Sequence, residues 1–182
     1  MNRTLRSVAV WSLLLAAASG AAALELGSPD VKNGGTLADA QVYSGFGCNG
    51  GNVSPALSWS GAPAVTRSFA LTVYDPDAPT GSGWWHWVIF NLPPMTTSLP
   101  RGVGRTAEAP AGALQARNDF GTRDFGGACP PPGDPPHRYI FTIYALKVEK
   151  LEVPPDATAA LVGYMINANQ IGKASITARY GR

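Results

Sequence analysis

The sequence predicts an all-β-dominated fold with one short helix near the C-terminus, and three observations carry that expectation. Its 21 glycines and 16 prolines punctuate the chain every few positions, while charged residues make up only 14%. Segments 67–74 and 138–148 alternate their side chains with the period of two that a strand imposes. After Pro154-Pro155, by contrast, apolar residues fall at helical spacing.

Residues 1–23 read as an export signal. Arg3 and Arg6 form a basic start, residues 8–18 an apolar core, and Ala21-Ala22-Ala23 a small-residue cleavage site. The apolar run falls short of the roughly 20 residues that a membrane-spanning helix needs, so no transmembrane segment is expected. The formal net charge is +2, and residues 1–23 hold two arginines and no acid, which leaves a neutral mature chain. Neutrality argues against nucleic acid or an anionic membrane surface as a partner. Residues 24–182 have the length of one well-buried domain, exported to the periplasm or beyond.

Residues 24–56 are mostly turn signals around a short candidate strand at 40–43, and a second short strand is expected at 57–59. In 67–74, Phe69, Leu71 and Val73 share one face. Segment 85–92 is apolar on both faces, as the middle strand of a sandwich would be. Asp75-Pro76-Asp77-Ala78-Pro79 must end the strand before it, because two prolines remove ladder donors. Residues 94–110 read as a long surface connection, 114–117 as a short strand and 118–121 as a turn. Segment 121–136 holds four glycines and five prolines, the make-up of an anion nest with a rigid wall. Asp156 is the expected N-cap of a helix through about Asn169, with Leu161, Tyr164 and Met165 at helical spacing, and 174–180 is expected to close the chain as a strand.

The chemistry concentrates at two loop-to-strand junctions. The first joins Asp75 and Asp77 to Trp84-Trp85-His86-Trp87; the second leads from the Gly/Pro loop into His137-Arg138-Tyr139. Both histidines of the chain lie there, and on a strand His137 and Tyr139 point the same way. An aspartate beside an imidazole orients it and favours its charged form, which suits donation to an anion such as phosphate. Two other uses of these residue types remain open: a metal set of Asp75, Asp77, His86 and His137, whose spacing matches no standard zinc pattern, and a thiol nucleophile at a cysteine near a histidine. At least one of Trp84, Trp85 and Trp87 must pack in the core, since neighbours on a strand face opposite ways. No Gly-x-Ser-x-Gly elbow is present and no serine is tied to a histidine, so no catalytic residue, cofactor or metal is assigned. The two cysteines, Cys48 and Cys129, lie in Gly-rich loops 81 residues apart, and in an exported chain they are expected to form a disulfide.

Several motifs in order, across the mature chain, resemble the phosphatidylethanolamine-binding protein family in its bacterial Raf kinase inhibitor-like (YbhB/YbcL-type) branch. They are Asn52-Val53-Ser54-Pro55-Ala56-Leu57-Ser58-Trp59, the run from Asp75 to Pro79, the run from Gly83 to Val88, Asp119-Phe120-Gly121, the run from Gly126 to Gly133, and His137-Arg138-Tyr139. The resemblance implies a Greek-key β-sandwich with a small anion pocket built from Asp75, Asp77, His86, His137 and Tyr139. Pro76, Cys129 and Pro131 would form its wall. It implies a non-enzymatic protein that binds a phosphate-like anion or a phosphorylated head group, or one that inhibits a protein partner such as a kinase, a protease or a host protein. Many relatives carry a histidine where this chain has Asn169.

Overall fold

The computed structural model describes residues 23–182, so the expected export signal lies almost wholly outside the described residues. The strands in chain order are β1 (Glu25–Gly27), β2 (Ser44–Gly45), β3 (Cys48–Asn49), β4 (Leu57–Ser60), β5 (Ser68–Asp75), β6 (Trp84–Leu92), β7 (Ser98–Leu99), β8 (Leu114–Gln115), β9 (His137–Leu146) and β10 (Gln170–Tyr180), with helix α1 (Ala159–Asn169) before the last. The main sheet is antiparallel, in the order β10-β9-β5-β6-β8. Strands β5, β6 and β8 lie side by side, and β9 returns after a long connection to pair with the far edge of β5. This fourth-beside-first order is the Greek key. A smaller sheet, β1-β4-β7, faces it, and β2 and β3 form a separate hairpin.

The two faces of the main sheet bury different things. One face packs Leu71, Val73, Trp87, Ile89, Phe141 and Ile143 against Leu57, Trp59 and Leu99 of the small sheet. The other packs Ala70, Val88, Phe90 and Leu146 under Val162 and Ile166 of α1. Strand β6 is therefore apolar on both sides because it is covered on both sides. Trp87 is fully buried between the sheets, where removing an indole typically costs about 3–5 kcal/mol.

Strand β6 breaks the alternation twice. Val73 pairs with Trp87 but Tyr74 pairs with Trp85, which leaves His86 as an extra residue. Phe69 pairs with Leu92 and Leu71 with Ile89, so a second residue is inserted near Asn91, whose φ is 58° and whose side chain accepts the Leu151 amide at 2.8 Å. A bulge bends its strand and re-aims side chains. Strict alternation would put His86 with Val88 and Phe90 beneath α1; the bulge turns it to the side of Tyr139, 5.1 Å away between ring centroids.

Five local expectations are corrected. Residues 40–43 form no strand: a 3-10 turn covers Asp39–Gln41, and Val42 makes only an isolated bridge to Ala128. The carbonyls of Asp39, Ala40 and Val42 are taken by the amides of Gly51, Val53 and Asn52, so no strand partner is needed. The long connection at 94–110 contains β7 and buries Leu99 and Val103. The N-cap of α1 is Thr158 rather than Asp156: its hydroxyl accepts the Leu161 amide, while Pro154 and Ala157 close a turn ahead of it. That helix also buries Ala159, Val162, Gly163 and Ile166 and leaves Tyr164 70% exposed, because it is apolar nearly all round and spacing alone does not choose the face. Gly163 decides it, since a Cβ there would meet the Trp85 ring at 3.2 Å. Strand β10 starts at Gln170, four residues before the expected Ala174.

Candidate functional site

At one end of the main sheet, the tips of β5, β6 and β9 meet the Gly/Pro loop that precedes β9. Asp75 ends β5, Trp84 and His86 lie at the start of β6, and His137 and Tyr139 open β9. Together with Phe46, Phe120 and the Cys129-Pro130-Pro131 wall, they line a pocket of about 220 Å³. Of the residues expected at the site, Asp75, His86, Cys129, Pro131, His137 and Tyr139 line this pocket, whereas Pro76 and Asp77 do not.

Asp77 does different work. Its carboxylate accepts the Arg138 backbone amide at 2.8 Å and the Arg138 guanidinium at 2.8 and 2.6 Å. The guanidinium bonds hold the Asp77 carboxyl down at about 2. Asp77 thus anchors β9 at Arg138, one residue past His137.

Asp75 is buried, and each of its oxygens has a donor. Oδ2 accepts Nδ1–H of His137 at 2.7 Å, and Oδ1 accepts the Asp77 amide at 2.8 Å. The other imidazole nitrogen of His137, Nε2, lies 3.4 Å from Oδ2 of Asp134 on the surface side. His137 is therefore flanked by carboxylates on both edges.

His86 is held by a different device. Its Nδ1 lies 2.8 and 3.1 Å from the carbonyl oxygens of Gly126 and Gly127. The 126–128 loop is gripped from several directions: the Gly126 amide donates to His86 O, the Gly127 amide to Asn52 Oδ1 at 2.6 Å, and the Ala128 amide to Gln41 O. Those amides are consumed within the fold, so the loop offers His86 carbonyls and is not the anion nest that its composition suggests. Gly127 has no alternative residue, since a Cβ would come within 2.4–2.6 Å of the backbone of Gln41, Val42 and Tyr43. Asn118-Asp119-Phe120 completes the bulge: Asp119 bonds Trp85 through both its backbone amide and its carboxylate, and the Asn118 side chain donates to His86 O.

Burial pushes the His86 imidazole below its ordinary value, with the Gly126 carbonyl opposing. Burial, then the nearby Asp75 charge, raises the Tyr139 phenol, which stays neutral. Three buried polar atoms of the lining have no protein partner: Trp84 Nε1, His86 Nε2 and Tyr139 Oη. Phe120 stacks on Tyr43 at 4.1 Å, and Phe46 beside it is 70% exposed, so the mouth is aromatic. Phe46, Trp84 and Phe120 were not expected at the site. Only the aromatic content of their segments hinted at them.

Cys48 and Cys129 form a disulfide, with Cα atoms 6.0 Å apart, so neither offers a thiol. Among the described residues, no three His, Cys, Asp or Glu side chains converge on a point that could hold a metal ion, and Asp77 turns away to Arg138. Asn169 lies at the end of α1, away from the pocket lining, where its side chain donates to Met165 O. No helix among the described residues is long and apolar enough to cross a membrane.

Comparison with known proteins agrees with this architecture. The family model for phosphatidylethanolamine-binding protein matches residues 27–181. The UPF0098 protein YbcL of Escherichia coli K12 is 57% identical over 162 residues, 88% of each chain. YbhB of the same organism is 48% identical over 158 residues, 86% of this chain and 99% of its own. The crystal structure of E. coli YbcL, described as a new member of the mammalian PEBP family, superposes with a TM-score of 0.86 at 55% identity, covering 88% of this chain and 99% of that one. With the match running from β1 to the end of β10, this chain belongs to the phosphatidylethanolamine-binding protein family.

Proposed function

We propose that this protein is an exported, non-enzymatic binding protein that holds a phosphate-like anion or a phosphorylated head group in the pocket between Asp75, His86, His137 and Tyr139. One observation carries the reading: three buried polar atoms without protein partners lie on the walls of a single small pocket. A buried polar group left unsatisfied costs about 1–3 kcal/mol, so a ligand that satisfies several at once gains much of its affinity there. A tetrahedral oxyanion is small enough for about 220 Å³ and presents oxygens in several directions at once. The His137–Asp75 pair sets a polarisable imidazole against the ligand without leaving a bare cation in the apolar interior.

The lining supports the non-enzymatic reading. Both cysteine sulfurs are committed, and the Thr80 hydroxyl donates to Gly83 O at 2.5 Å with no base beside it. Export is supported by the disulfide, which persists in oxidising compartments. The two histidines make the test simple: titrate with inorganic phosphate and with phosphoethanolamine and follow both imidazole rings by NMR. Both rings should shift together and saturate. If neither ring responds to either compound, the pocket is not an anion site.

A further inference from the structure

We propose, building on the anion-site reading above, that the pocket selects phosphate groups that bring a proton of their own, inorganic phosphate or a phosphate monoester donating P–OH to His86 Nε2, over sulfate and phosphodiesters. The geometry at Nδ1 carries this. Two carbonyl oxygens, Gly126 O at 2.8 Å and Gly127 O at 3.1 Å, face that nitrogen, and a carbonyl can only accept. Nδ1 therefore carries the hydrogen, and in the neutral ring Nε2 is left as a bare lone pair. That atom is buried and has no protein partner.

The surroundings keep the ring neutral until a ligand arrives. Burial disfavours the imidazolium, and this outweighs the opposing pull of Asp75 from β5 and Asp119 from the 118–127 loop. From β9, Tyr139 presents a neutral phenol, and His137 is occupied by Asp75 at one nitrogen and faces Asp134 at the other. Phe120 packs T-shaped against the imidazole, 5.4 Å away between ring centroids. No neighbour supplies a donor to Nε2, so an anion oxygen without a hydrogen would meet lone pair against lone pair.

A proton must therefore enter with the ligand or be taken from water. A phosphate monoester, with a second pKa of about 6, still carries P–OH in part near neutrality. Sulfate and a phosphodiester carry none, so each must recruit a proton to His86, and their affinity should fall about tenfold for each pH unit above the point where the ring deprotonates. Selection is by proton count, since sulfate and phosphate are alike in size and shape.

The test is calorimetric titration of the intact protein with inorganic phosphate, sulfate and dimethyl phosphate between about pH 6 and about pH 8, each in two buffers of different ionisation enthalpy to count protons. Near neutral pH, phosphate should bind at least tenfold tighter than the other two, and any sulfate bound should bring about one proton from the buffer. Sulfate or dimethyl phosphate binding as tightly as phosphate without proton uptake would overturn the selection while leaving the anion site intact. If none of the three binds at any pH, the anion-site reading fails, and the selection with it.

Discussion

Replacing Asp75 with asparagine removes one charge and almost no volume, which isolates what the carboxylate contributes. Its two oxygens accept two N–H donors, His137 Nδ1–H at 2.7 Å and the Asp77 amide at 2.8 Å, in a site that is only 2% exposed. An amide has one oxygen and one NH2, so in either orientation one buried donor must face another. The loss is one charge-assisted hydrogen bond plus one unsatisfied donor, about 2 kcal/mol on the usual scale of 1.5–3 for bonds to charged groups. For a domain of this length that lowers Tm by about 4–8 °C. Thermal denaturation reads the first effect and 15N NMR of the two imidazoles the second: in Asp75→Asn the His137 proton should leave Nδ1 for Nε2, beside Asp134. A variant that melts within about 1 °C of the wild type and keeps the Nδ1–H tautomer would refute the view that this pair organises the site.

Breaking the Cys48–Cys129 bond, by reduction or by Cys48→Ser, frees an 81-residue separation; chain entropy sets a ceiling of about 4.5 kcal/mol on the loss, to be read from urea unfolding with and without reductant. The same treatment should weaken anion binding, because Cys129 is part of the pocket wall. Gly127→Ala should cost about 1–3 kcal/mol by overpacking and move the His86 ring resonances, since its Cβ would push the carbonyls that fix Nδ1; a variant of normal stability with unmoved resonances would contradict that fit. Stability should also depend on pH in two windows. His86 has a folded value below its unfolded value near 6.5, so the unfolded chain takes up that proton first; this contribution is complete above about pH 6.5 and is lost on acidification below it. Asp77 shifts from 3.8 to about 2, so its contribution is present above about pH 4 and is lost as the pH falls towards 2. A urea midpoint that stays flat from about pH 7 to about pH 5 would count against a buried neutral His86.

Period-two patterning located β5 and β9, and a continuous apolar run located β6, because all three strands are long and buried and their patterns are decided by packing rather than by local turns. The same residues disclosed the site in outline: His137 and Tyr139 do share a face, and both histidines do line one pocket. Three features stayed hidden because they depend on contacts distant in sequence. The bulge at His86 is set by pairing across β5 and by the grip of Asp119, neither of which local periodicity records. The amides of Gly127 and Ala128 read as part of an anion nest until their partners, Asn52 and Gln41, more than 70 residues back, are known. Asp77 resembles a pocket carboxylate in its motif, yet the neighbouring Arg138 claims it. The face of α1 was ambiguous for a simpler reason: almost every residue on it is apolar, so the choice falls to the one position, Gly163, where a tryptophan needs room.

The slipped pairing at His86 makes this end of the molecule sensitive to length in a way that the rest of the strand is not. Trp84 and His86, even-numbered, share the pocket side of β6 with odd-numbered Trp87 and Ile89, while Trp85 turns to Tyr74 and Gly163 on the other side. Deleting Trp85 would restore simple counting. It would also empty the seat opposite Gly163 and turn the His86 imidazole out of the pocket to lie beneath α1. Point substitutions here change one group at a time, whereas that one-residue deletion would undo the pocket face and the helix seat together, so among relatives that keep this pocket, alignment gaps should fall outside 84–87.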